Sequence, residues 1–125
     1  LQKLVHDLRR GGAAQVLVAN TPYLDRLPVY LACQSKEPAA AVRCPTAPAA
    51  HLDPAGMNRL VDAYNSAITT VVQQEGAVLV DLHARGEIPD THPEWVSADG
   101  FHPSSAGYAA IARTFAESYR SLKTP

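Results

Sequence analysis

An aspartate three residues ahead of a histidine is the arrangement in this chain best suited to do chemistry: Asp99-Gly100-Phe101-His102. An imidazole acts as a general base when a neighbour fixes its tautomer and stabilises its charged form, and a carboxylate on the same tight turn can do both. By accepting the Nδ1 proton, Asp99 would leave Nε2 of His102 facing a reacting group. Pro103 pins the backbone beyond the histidine and suits the first turn of a helix, where its missing N–H is not needed. The bland alternative is a turn aspartate, a loop histidine and a helix-capping Ser104. For an arbitrary Asp-x-x-His that alternative would prevail, because four-residue patterns recur by chance.

Two further pairs repeat the theme. Asp81-x-His83 and Asp90-x-His92 precede Asp99-x-x-His102 at nine-residue steps. Histidine and carboxylate ligands suit zinc and other divalent ions, so a metal site is one reading. It is a weak one, because neither cysteine joins the series and no His-x-x-x-His helix is present. Cys33 and Cys44 instead flank a polar segment containing Pro38. In an oxidising compartment they would close that loop as a disulfide, and in a reducing one they would be two thiols. Their flanking positions and the lack of a Cys-x-x-Cys motif favour the bridge.

The elements that must position these residues follow from apolar spacing. Residues 1–10 carry Leu1, Leu4, Val5 and Leu8, the stripe of an amphipathic helix, stopped by Gly11-Gly12. Residues 15–20 form a short apolar run expected as a parallel strand covered on both faces. A long segment from Thr21 to about His51 follows, punctuated by Pro28, Pro38, Pro45 and Pro48. Within it Tyr23, Leu24, Leu27, Tyr30 and Leu31 predict a short helix or an apolar flap, which beside a reactive site would line a pocket for an acyl or alcohol group; the plain alternative is a poorly ordered crossover linker. Asp53-Pro54 reads as an N-cap with proline at the first helical position. Met57, Leu60, Val61, Tyr64, Ala67, Ile68, Val71 and Val72 keep one helical face until Gly76. Residues 77–82 are a second buried strand, and 83–98 a loop with Pro89, Pro93 and Trp95. From Ser104 to Leu122, the residues Ile111, Phe115, Ser118, Tyr119 and Leu122 mark a last amphipathic helix. This order is that of the back half of a doubly wound α/β sandwich whose first strands are absent from the chain.

Composition narrows the function classes. With 125 residues and net charge −1, the chain reads as one globular domain with no basic footprint for nucleic acid. No apolar run approaches the roughly 20 residues that span a bilayer.

The string from Asp99 through His102-Pro103-Ser104-Ser105-Ala106-Gly107-Tyr108 to Ile111-Ala112 resembles the closing block of the SGNH (GDSL-type) esterase and lipase superfamily. That resemblance implies a flavodoxin-like three-layer α/β/α sandwich, of which only the C-terminal half is present, with residues 1–125 as part of a single domain. It implies hydrolysis of carboxylic esters by a Ser-His-Asp triad, with no cofactor and no metal. Carried over by position, Asp99 is the orienting acid and His102 the general base and acid. The nucleophile is missing, for the chain has neither Gly-Asp-Ser nor a Gly-x-Ser-x-Gly elbow. Ser104 and Ser105 sit too close to His102 along the chain, and Ser35, Ser66, Ser97, Ser118 and Ser121 have no motif around them. The expected partners are therefore an ester substrate (a lipid, an acetylated sugar, a thioester or a small ester) and the N-terminal half of the fold or a second chain carrying the serine. Asn20, after the first strand, is expected as a structural or site-rim residue, and Trp95 and Phe101 as packing residues of the loop in preference to substrate contacts. A secreted or cell-envelope location is expected from the disulfide, with the cytoplasm open if the thiols are free. The competing class is a non-catalytic scaffold that keeps the half-fold and dimerises through its strand edges.

Overall fold

The structure, a computed structural model, describes residues 1–34, 44–46, 48–84 and 91–122. Ser35, Pro38, Pro89 and Asp90 lie outside them, and so does the Asp90 half of the Asp90-x-His92 pair. In chain order the elements are α1 (Gln2–Arg9), β1 (Leu17–Ala19), α2 (Pro28–Gln34), α3 (Pro54–Glu75), β2 (Val78–Val80) and α4 (Ser105–Ser121). One-turn 3₁₀ helices lie at Arg10–Gly12, Pro48–His51 and Pro93–Trp95.

The sheet is one parallel pair with Leu17 opposite Val78 and Ala19 opposite Val80. Parallel strands need a crossover, and here it contains α2 and α3. Helix α3 begins at the expected cap: the Asp53 side chain accepts from the Gly56 N–H at 2.6 Å, with Pro54 at the first helical position. It ends at Gly76, whose φ of 61° is the left-handed conformation a glycine adopts without a Cβ penalty. Helix α1 packs on α3, and α3 and α4 both pack on β2. The chain is thus a mixed α/β fold.

Burial departs from the expected faces in an informative way. The strands were expected to be covered on both sides, yet β1 is half-buried throughout and only Val80 of β2 is fully buried. A two-stranded sheet cannot cover both of its faces and edges. On α1 only Val5 is buried, while Leu1, Leu4 and Leu8 are more than half exposed. On α4 the buried residues are Gly107, Ala110 and Thr114, while the expected Ile111, Phe115 and Ser118 are half-buried. Tyr119 and Leu122 stay exposed, as does Tyr64 of α3. The main cluster is Leu27, Tyr30, Met57 and Val61, with Leu24, Val29, Leu52 and Val96 packed against it. It joins α2 and α3 to the loop that precedes Asp99.

Cys33, in α2, is bonded to Cys44. The segment from Thr21 to His51 therefore contains a helix pinned by a disulfide.

Candidate functional site

Between β2 and α4 the chain makes a closed hairpin. Val96 and Pro103 form an antiparallel bridge, flanked by hydrogen bonds from Ser97 N to His102 O and from Ser104 N to Trp95 O, each 2.8 Å. Inside it, Gly100 N donates to Ser97 O at 2.9 Å, a one-turn reversal that leaves Gly100 at φ 74°. Only glycine reaches that conformation cheaply, so Gly100 turns the chain and presents Asp99 and His102 on one side.

Asp99 is gripped at both carboxylate oxygens. Its Oδ1 accepts from Ser97 Oγ at 2.6 Å, Phe101 N at 2.9 Å and His102 N at 3.0 Å, and its Oδ2 meets His102 Nδ1 at 2.6 Å. The Ser97 hydroxyl, then the His102 ring and the two backbone N–H groups, hold the carboxyl well below the usual carboxylate range. An ionised carboxylate only accepts, so Nδ1 carries the ring proton. In the neutral ring Nε2 is then left with its lone pair, the tautomer a general base requires. Both side chains are about half exposed or more, 51 % for Asp99 and 65 % for His102.

Helix α4 is locked to the hairpin. The Ser104 hydroxyl caps it by accepting from Gly107 N at 3.2 Å, and donates to Glu94 O at 2.6 Å. Gly107 lies so close to the hairpin that a Cβ there would stand 2.1 Å from the Trp95 carbonyl oxygen. From the other side, Val29 N donates to Gly100 O at 3.1 Å and ties α2 to the turn. Trp95 stacks on His92 with ring centres 3.9 Å apart. Phe101 meets the His102 ring edge-on at 5.0 Å yet is 50 % exposed, so it is not a buried packing residue.

The other candidates are engaged elsewhere. Asn20 is buried and joins the ends of both strands: its amide donates to Asp81 Oδ1 at 2.7 Å and its oxygen accepts from His83 N at 3.0 Å. Burial pushes the Asp81 carboxyl up, but the hydrogen bonds from Ala84 N and the Asn20 amide outweigh it and the net shift is down. His83 stacks on Tyr23 at 3.9 Å, with Nδ1 3.2 Å from Thr21 O. His92 pairs with Glu94 at 2.9 Å. Among the described residues, no three His, Cys, Asp or Glu side chains are grouped to hold a metal ion. Ser97 and Ser104 flank the Asp99–His102 pair, and each hydroxyl is already donating within the hairpin.

Sequence reasoning missed two contributors. Ser97 as a support of Asp99 was legible as a serine two positions before an aspartate in a turn. Gly107 was legible as a glycine inside a helical pattern with no need for positive φ, a sign of close approach. Leu24 and Leu27, in the apolar stretch that the sequence offered as a pocket lining, do line the space beside the pair.

A family model described as GDSL-like Lipase/Acylhydrolase family covers residues 1–110. No curated protein and no solved structure matches.

Proposed function

We propose, from the premise that this chain belongs to the GDSL-like lipase/acylhydrolase family, that it supplies the acid–base half of a serine esterase site. The Asp99–His102 contact at 2.6 Å, on a turn that fixes the tautomer, is the observation that carries this reading. A serine supplied from outside these 125 residues attacks the ester carbonyl while Nε2 of His102 takes its proton. His102 then gives that proton to the departing alcohol, and water repeats the cycle on the acyl-enzyme. Asp99 orients the ring and stabilises the imidazolium as it forms. Neither step needs a metal or cofactor.

The flavodoxin-like sandwich, with this chain as its C-terminal half, is supported by the apolar residues left uncovered on α1 and β1 and by the exposure of the pair itself. Oxyanion and dyad chemistry gain their strength where water is excluded. A neighbouring N-terminal half would supply that exclusion, the missing strands and the nucleophile. The disulfide supports residence in an oxidising compartment, secreted or in the cell envelope.

Two results test this. Sequencing of the gene upstream of Leu1 should reveal a Gly-Asp-Ser segment in frame, or a partner gene that encodes one. The assembled protein should hydrolyse a p-nitrophenyl ester, and His102→Ala should lower kcat at least about a thousandfold, since triad members act as a unit. Full turnover in the variant would overturn the assignment.

A further inference from the structure

Beside the Asp99 turn lies a cavity of about 480 Å³, within the size range of small-molecule sites. Leu27, Tyr30 and Met57 of the main cluster line it, together with Leu60 of α3. Ala49 and Ala50 line it from the segment before α3, and Asp99 and Phe101 from the turn. Phe101 and Leu24 also line a smaller cavity of about 200 Å³ that contains His102, so the two spaces share a wall at the pair.

The polar groups around the larger cavity are accounted for. The Tyr30 hydroxyl donates to Leu52 O at 2.9 Å, and Asp99 is engaged at both oxygens. A sugar hydroxyl placed there would lose its water and find few partners, which is unfavourable. A methylene chain loses nothing of the kind. The alanine wall is held in place from several sides. The Gln34 amide donates to Ala50 O at 3.4 Å and to Leu52 O at 3.0 Å, and the Cys33–Cys44 disulfide anchors the chain next to Pro45, which also lines the cavity. Small residues on a tethered wall leave room that larger ones would fill.

We propose that this cavity receives an aliphatic chain of the ester, making medium-length fatty esters rather than acetylated sugars the substrate class. The inference rests on the esterase reading of the same site, and it assigns Ala49, Ala50 and Leu60 as specificity-determining residues. Because Phe101 lines both cavities and meets the His102 ring at 5.0 Å, a chain lying against it brings the attached ester group to the pair.

The test is equilibrium binding of a dansyl-labelled medium-chain fatty acid to the purified protein, which needs no turnover. Saturable binding is expected, with displacement by methyl decanoate or decyl acetate but not by methyl acetate. Which of the two displaces more strongly tells the acyl from the alcohol side of the ester. Ala50→Trp and, separately, Ala49→Trp should each weaken binding more than about tenfold, since each buried methylene lost is worth about a factor of four. Ala112→Ser, on the exposed face of α4, should leave it unchanged. His102→Ala should bind as the parent does while abolishing ester turnover, which separates a failure of this proposal from a failure of the esterase reading. Far-UV circular dichroism checks that the tryptophan variants fold. Equal binding by folded Ala49→Trp and Ala50→Trp variants, equal competition by methyl acetate, or displacement by neither long ester overturns the proposal.

Discussion

Replacing Gly107 by alanine should damage the site through its support rather than its chemistry. The new Cβ would lie 2.1 Å from the Trp95 carbonyl oxygen, where ordinary contact begins at 3.4 Å. The hairpin and α4 must then separate by roughly 1 Å, and neither neighbour can yield by a rotamer change because the obstacle is backbone. That carbonyl accepts from Ser104 N at 2.8 Å, and Ser104 caps α4, so the strain reaches the cap and His102 two residues before it. Overpacking of this kind costs about 1–3 kcal/mol, against about 0.5–1 kcal/mol gained from the better helix propensity of alanine. A net loss of about 1–2 kcal/mol should lower Tm by several degrees in calorimetry. A displacement near 1 Å at a catalytic base can cost about a hundredfold in rate. In proton NMR, the downfield His102 Nδ1–H signal expected from the Asp99 contact should shift or broaden. A Gly107→Ala protein with unchanged or higher Tm and an intact Nδ1–H signal would refute the reasoning.

Three other outcomes follow from the same geometry. Asp99 is held ionised in the folded state, so its bonds contribute stability above the ordinary carboxylate pKa, and that contribution is lost as pH falls through the lower folded value. Asp99→Asn should therefore flatten the acid limb of a Tm-against-pH curve below about pH 4, and in the assembled enzyme lower kcat by about 10⁴; an unchanged acid limb contradicts the assignment. Ser97→Ala removes the largest cause of the depressed Asp99 pKa, so the carboxyl should titrate closer to the ordinary range by carbon-13 NMR, and no movement would show that the hydroxyl is not the support. Reduction of the Cys33–Cys44 bridge opens a closed loop of sequence separation 11 and should lower stability by about 3 kcal/mol on the chain-entropy account, measured by urea unfolding with and without reductant. Equal midpoints would contradict it.

The parts of this molecule that were legible in the sequence are those governed by local rules. Asp53-Pro54 and Gly76 bound α3 because a cap, a proline and a left-handed glycine act over a few residues. Ser104 caps α4 for the same reason. The Asp99–His102 contact was also legible, since three residues and one glycine determine it. What failed was inference about faces. Leu1, Leu4 and Leu8 show the helical spacing of a buried stripe yet remain exposed, and Gly107, Ala110 and Thr114 are buried although their types carry little apolar signal. Periodicity identifies a helix but not what covers it, and a sheet of two strands offers little cover. The apolar cavity was legible only in part: the stretch of Leu24, Leu27 and Tyr30 reads as a pocket lining, but Ala50, Leu60 and Phe101 come from separate segments that only the tertiary fold brings to it.

The central claim is that His102, oriented by Asp99, activates a serine. Fluorophosphonate labelling of the assembled protein, followed by intact mass of every labelled species, addresses it directly. The account predicts one label on a polypeptide segment outside residues 1–125, and its loss in His102→Ala. A label retained at full rate in that variant, or one on a serine within residues 1–125, would contradict it.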